Sequence, residues 1–346
     1  MTFSTQELQS PSMTTDDQQR SGLPRVPPAG VWCPAVTCFD KDDNLDLEAQ
    51  FKYFAHLARS GLAGVVVMGT NSEAMLLTRD ERSELVATAR KAVGPDFPLM
   101  AGVGAHSTKQ TLEFAQDAAN AGADYLLVLP PAYFGKATTM ATVRRFFAKV
   151  SAKTKLPIVI YNFPGVCNGV DLDSDTITSI VQDSSKSSPS GISQVVGVKL
   201  TCGSVGKITR LAAQHRPSDF SIFGGQSDFL IGGLAAGSAG CIAAFANVCP
   251  KLAATIFELY RAGDHQEAMR LQQIAALAES PCKSGIAATK FAATLFSARL
   301  AGIEDAEIKF RPRHPYEEPP EMVKESVIEG TRKAGEIELL LQTPPQ

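Results

Sequence analysis

A lysine held in a strand-like apolar run can do chemistry that a solvated lysine cannot. Lys199 lies in Val195-Val196-Gly197-Val198-Lys199-Leu200, where its neighbours are apolar or glycine. Desolvation disfavours the ammonium form and frees a lone pair for attack on a ketone, the requirement of Schiff-base catalysis. The same run suits a strand-end lysine that reaches solvent or pairs with an acid, and spacing alone leaves both readings open. Tyr161 closes a second apolar run, Pro157-Ile158-Val159-Ile160. A phenol at that depth can relay the protons that carbinolamine formation and dehydration exchange. It can equally be a core tyrosine with a satisfied hydroxyl.

The turn Gly69-Thr70-Asn71-Ser72-Glu73 supplies a hydroxyl, and its glycine lets the backbone approach a ligand closely enough for N–H groups to hold a carboxylate. Glu73 reads equally as an orienter of that turn or as a catalytic group. Tyr133 and Gly225-Gln226 also follow apolar runs. The five histidines, His56, His106, His215, His265 and His314, lack ligand spacing, so no metal is expected. A Ser-His-Asp hydrolase is disfavoured too, since no G-x-S-x-G elbow follows a strand.

Bringing these segments to one place requires a scaffold, and the chain repeats one unit that provides it. Short runs rich in Val, Ile and Leu at 31–37, 64–68, 99–103, 125–129, 158–162, 195–200, 221–224 and 241–244 alternate with longer segments of helical periodicity, such as 47–60, 79–93, 108–121 and 139–154. Thr78 and Ser107 stand where helix caps belong. Alternation of this kind predicts parallel strands with crossover helices. An open doubly wound sheet would carry a glycine-rich loop after its first strand, but Thr37-Cys38-Phe39-Asp40 has none, and Gly102-Val103-Gly104 lacks the third glycine. The expectation is an α/β fold, a (β/α)8 TIM barrel with appended C-terminal helices near 250–262, 264–279, 285–301 and 321–341. The candidate residues then gather at the C-terminal ends of the strands. Residues 1–28 read as a disordered tail, 29–262 as the barrel and 263–346 as a helical extension. Residues 184–193, SSKSSPSGIS, read as a mobile surface loop.

Composition narrows the partners. The 346 residues are 44% hydrophobic and 20% charged, with a formal net charge of -3 and no long Lys/Arg run, so neither nucleic acid nor an anionic membrane is an expected partner. No segment approaches the roughly 18 consecutive apolar residues of a membrane span. Seven scattered cysteines without CxxC spacing read as reduced, buried thiols. The first 28 residues hold Asp16 and Asp17 and lack both an apolar signal core and an Arg-rich bias, which gives a cytoplasmic expectation.

Taken together, GTNSEAMLLTRDER at 69–82, AGVGAHST at 101–108, LPPAYF at 129–134, YNFPG at 161–165, VVGVKLT at 195–201 and ANV at 246–248 resemble the dihydrodipicolinate synthase and N-acetylneuraminate lyase family. The resemblance runs in order from about Val31 into the C-terminal helices. It implies Lys199 as the residue that forms a Schiff base with pyruvate or another 2-oxo acid, with no other cofactor. It also implies Tyr161 as proton relay, Thr70 as the hydroxyl beside it, and Tyr133 as a tyrosine lent to a neighbouring subunit's relay in a homo-oligomer, dimer or tetramer. Thr70 and Asn71 would hold the pyruvyl carboxylate, Gly225 would make a backbone contact, and the 166–168 loop, Asn168 included, would touch the distal part of the substrate.

Two departures bear on substrate. After Tyr161 the chain reads Asn162-Phe163-Pro164-Gly165-Val166-Cys167-Asn168-Gly169, without the arginine that typically grips an aldehyde substrate's carboxylate in dihydrodipicolinate synthases. Ser72 also replaces the usual glycine of the turn. The segment after Tyr161 resembles eukaryotic aldolases that cleave 2-oxo-3-deoxy sugar acids, whereas Asn71 resembles 4-hydroxy-2-oxoglutarate aldolase. The expected activity is therefore class I cleavage of a hydroxylated 2-oxo acid to pyruvate and an aldehyde. Condensation of pyruvate with aspartate semialdehyde, or a catalytically silent binding barrel, are the alternatives.

Overall fold

The structure is a computed structural model that describes residues 25–342. The eight apolar runs form eight parallel strands, β1 Gly30–Pro34, β2 Gly64–Val67, β3 Leu99–Gly102, β4 Tyr125–Val128, β5 Ile158–Asn162, β6 Val195–Leu200, β7 Ser221–Gly224 and β8 Gly240–Ile242. They close in sequence order, with β1 hydrogen-bonded to both β2 and β8. All strand residues are buried, because one face fills the barrel and the other meets the helices.

The helices between strands are α1 Leu47–Ala58, α2 Arg79–Val93, α3 Thr108–Ala121, α4 Met140–Ser151, α5 Ser174–Ser187, α6 Val205–Gln214 and the short α7 Leu230–Ala235. Local chemistry explains their starts. Thr78 and Glu81 form a reciprocal capping box on α2, and Ser107 accepts from the Gln110 N–H on α3. The expected surface loop at 184–193 is corrected in its first part, since α5 continues to Ser187. Nothing breaks the helix before Pro189, and Ser184 is buried, its Oγ accepting from the Gln194 N–H at 3.0 Å.

Trp32 closes the lower end of the barrel. Its indole N–H donates to the Pro28 carbonyl at 3.1 Å, and its ring meets Tyr125 and Phe223 edge-on at 6.0 and 6.2 Å. Gly64 makes room on the next strand, because a Cβ there would lie 2.3 Å from the indole. With the floor filled by aromatics, the open end at the strand C-termini is left for chemistry.

Past β8 the chain forms α8 Pro250–Ala262, α9 His265–Cys282, α10 Ile286–Leu295, α11 Ser297–Leu300, α12 Ala306–Lys309 and α13 Glu321–Gln342. One expected helix at 285–301 is thus two, separated at Phe296. Helix α13 packs on α8, α9 and α10 and is anchored by Glu338. Its carboxylate is fully buried and accepts from the N–H groups of Lys251 and Leu252 at 3.0 and 2.7 Å, the free donors at the start of α8.

Burial outweighs those two donors and pushes the Glu338 carboxyl up to about 7. The folded chain therefore holds a proton between the ordinary carboxylate range and about 7 that the unfolded chain has lost, so this contribution to stability falls as pH rises through that window. Glu338→Gln is expected to match the wild type near pH 5 and to be more stable at pH 8 by on the order of 1–3 kcal/mol. Chemical denaturation at both pH values checks this, and an equal difference at both would exclude the linkage.

Candidate active site

Lys199 and Tyr161 are register partners on β6 and β5. Lys199 is 2% exposed, and its Nζ lies over the face of the Tyr161 ring, 4.3 Å from the centroid. Among the described residues it makes no ion pair or hydrogen bond. The two bland readings of a strand-end lysine, solvent contact and pairing with an acid, are therefore both excluded by position.

The Tyr161 hydroxyl is not merely satisfied in a core. It lies 3.3 Å from Thr70 Oγ1, so hydroxyls from β5 and from the turn after β2 meet above the barrel. That turn is a single 3-10 turn, Thr70–Ser72, followed by Glu73 in the left-handed region at φ 54°. Ser72 replaces glycine without loosening it. Its Oγ donates to the Ala35 carbonyl at 2.6 Å, and its own carbonyl accepts from Thr37 at 2.7 Å.

Glu73 holds the turn from the other side. One carboxylate oxygen accepts from Lys290 Nζ of α10 at 2.7 Å and the other from the Arg313 N–H at 2.8 Å. Lys290 is fully buried, donates also to the Arg311 carbonyl at 2.6 Å, and lies over the Phe39 ring. Burial pushes its ammonium below the usual lysine range, opposed by Glu73. Arg313 grips Glu81 of the α2 capping box with two bonds of 2.6 and 2.8 Å. Glu73 is thus an orienter of the turn. Local patterns gave no sign of Lys290 or Arg313, since both act across more than 200 residues of chain.

A cavity of about 610 Å³ opens beside this pair, with walls that include Thr70, Tyr161, Gly104, Leu129, Ile286 and Pro312. The wall includes the Tyr161 ring that Lys199 Nζ lies over, but not Lys199 itself. Other residues singled out in the sequence have different surroundings. Asn71 is half-buried and makes no side-chain hydrogen bond to another described residue. Gly225 faces Thr201, whose Oγ1 would lie 2.2 Å from a Cβ, and its N–H already donates to the Leu200 carbonyl at 3.1 Å. Asn168 donates to the carbonyls of Ala132 and Tyr133, at 2.9 and 3.1 Å, and so ties two loops together. Tyr133 is 68% exposed, edge-on to His106 and Phe134, and projects outside this barrel's own cavity. Among the described residues, no three His, Cys, Asp or Glu side chains converge as a metal site.

The structure thus places a buried lysine on strand six against a strand-five tyrosine. Residues 27–314 match the dihydrodipicolinate synthetase family. The chain belongs to this family. It is 65% identical over 317 residues, 91% of this chain and 98% of the relative, to a Coccidioides immitis protein named "Putative 4-hydroxy-2-oxoglutarate aldolase, mitochondrial". It is 34% identical over 327 residues, 91% of this chain and 98% of the relative, to the L-threo-3-deoxy-hexylosonate aldolase of Hypocrea jecorina. A crystal structure of a dihydrodipicolinate synthase family protein from Coccidioides immitis superposes with a TM-score of 0.84 at 60% identity, covering 91% of this chain and 98% of that one. The expected barrel and the aldolase-type carbon–carbon lyase class both stand. The cytoplasmic expectation does not, because the 65% relative is named mitochondrial. That expectation gave weight to Asp16 and Asp17, whereas the first fifteen residues are rich in Ser and Thr and hold a single acid, Glu7.

Lys290→Met, which leaves Glu73 buried without its cation, is expected to cost about 3–5 kcal/mol in a denaturation series. Glu73→Gln combined with Lys290→Met should recover most of that loss. A single variant as stable as the wild type would show that this pair does not hold the turn.

Proposed function

We propose that the protein is a class I aldolase that cleaves a 4-hydroxy-2-oxo acid to pyruvate and an aldehyde, with 4-hydroxy-2-oxoglutarate, which yields glyoxylate, as its substrate. The observation that carries this reading is the Lys199 amine, buried without an ion pair and stacked on a tyrosine whose hydroxyl meets Thr70. Nζ attacks C2, the carbinolamine loses water, and the resulting iminium becomes the electron sink. Tyr161, having given its phenol proton to the hydroxide that leaves the carbinolamine, is left as a phenolate hydrogen-bonded to Thr70 and takes the proton of the C4 hydroxyl. The C3–C4 bond then breaks, its electron pair entering the iminium to give an enamine while the aldehyde leaves. Protonation at C3 and attack by water release pyruvate and restore the amine.

Thr70 and Asn71 would hold the C1 carboxylate through turn N–H groups. Tyr133, solvent-exposed in one subunit, would extend the relay of a second copy in a homo-oligomer, with Asn168 fixing the backbone that carries it. The substrate choice is supported by the 65% relative, and the segment after Tyr161 lacks the arginine typical of dihydrodipicolinate synthases. A mitochondrial location belongs to the same reading and is open to cell fractionation.

Pyruvate release measured with 4-hydroxy-2-oxoglutarate and with 3-deoxy-L-threo-hexulosonate, beside pyruvate consumption measured with aspartate semialdehyde, tests the choice directly. Highest kcat/KM is expected for the first. Faster turnover of the sugar acid would reassign the substrate, and turnover of none would leave a silent barrel. Tyr161→Phe keeps the ring over Lys199 and removes the hydroxyl, so kcat should fall about 100-fold or more while the fold is retained. Undiminished kcat would remove Tyr161 from the relay.

A further inference from the structure

The cavity beside Tyr161 has one cation in its wall among the described residues, and the relay does not use it. Arg82, on α2, is 8% exposed. Its Nη1 donates to the Ala74 carbonyl at 2.9 Å and its Nη2 to the Gly102 carbonyl at 2.6 Å, both residues that also line the cavity. Its guanidinium carbon lies 4.3 Å from the centroid of the Phe114 ring. No described carboxylate pairs with it. Asp117, whose charge it feels, is engaged by Arg79 at 2.7 Å. Burial accordingly pushes the guanidinium down to about 10.

Buried cations ordinarily have an anion, because carbonyl dipoles offset only part of the lost hydration. A guanidinium has five N–H donors, and the protein bonds account for two here. The acids in the cavity wall do not neutralise it. Glu73 is bound to Lys290 and Arg313, and Glu317 stands exposed. The wall of the same cavity also includes the apolar Met68, Leu127 and Leu129. Such a wall strengthens a single charge-assisted contact and leaves the hydroxyls of a polyol without partners.

We propose that Arg82 forms an anion subsite that receives the distal carboxylate of a five-carbon 2-oxo dicarboxylate whose C2 is bound as an imine at Lys199. The assignment rests on the function proposed above and deepens it. Charge selection, absent from the segment after Tyr161, is supplied instead by the helix that follows β2, and it favours 4-hydroxy-2-oxoglutarate over a neutral-tailed sugar acid.

Two uncleavable ligands of equal chain length isolate the charge, 2-oxoglutarate and 2-oxopentanoate. Each is titrated against the full-length protein, trapped with borohydride, and read as the mass added to the chain. Half-maximal trapping is expected at a concentration roughly 10- to 100-fold lower for 2-oxoglutarate. Arg82→Gln should abolish that preference while pyruvate, which has no distal group, still traps as in the wild type. Arg82→Lys should keep part of it. No preference in the wild type overturns the subsite whether or not the variants fold, as does a preference that survives Arg82→Gln. Failure of pyruvate itself to trap would instead overturn the aldolase reading, and the subsite with it.

Discussion

The ion pair between Glu73 and Lys290 is the constraint on which the site's geometry depends. Both groups are out of water, so either alone would be a buried uncompensated charge, and the pair persists only with its full set of hydrogen bonds. Glu73 uses both oxygens, and Lys290 adds the Arg311 carbonyl. The turn bearing Thr70 is thereby fixed to α10 and to the segment after α12, and these in turn supply Ile286 and Pro312 to the cavity wall. Residues beyond the barrel are thus part of the cavity wall and also part of what positions Thr70.

The barrel divides its labour by height. Trp32, Tyr125 and Phe223 pack the lower end with edge-on aromatic contacts, and Gly64 yields the space the indole takes. The pairing of β5, β6 and β7 sets Lys199 in register with Tyr161 on one side and with Phe223 on the other. A lysine kept out of water and without an acid partner has little use in holding a fold, so its position is best explained by chemistry.

Much of this was readable from local patterns. Strands β5, β6 and β7 and helices α2 and α3 begin and end where apolar runs, caps and glycines place them. The barrel followed from alternation and from the missing phosphate loop. The role proposed for Lys199 was not readable from spacing, because a strand-end lysine and a desolvated nucleophile share one pattern until the neighbouring strand is known. Lys290, Arg313 and Arg82 escaped for a related reason. Each acts through partners set by tertiary packing, and nothing in its own neighbourhood of sequence marks it. Gly225 shows the converse, since its glycine is required by the approach of Thr201 and its N–H is already bonded within the barrel.

Covalent capture at a defined residue tests the central claim most directly. Full-length protein treated with pyruvate and borohydride, then digested and mapped by mass spectrometry, is predicted to carry a single reduced pyruvyl group on the peptide containing Lys199. An unmodified Lys199, or an adduct on the other buried lysines Lys207 or Lys290, would contradict it.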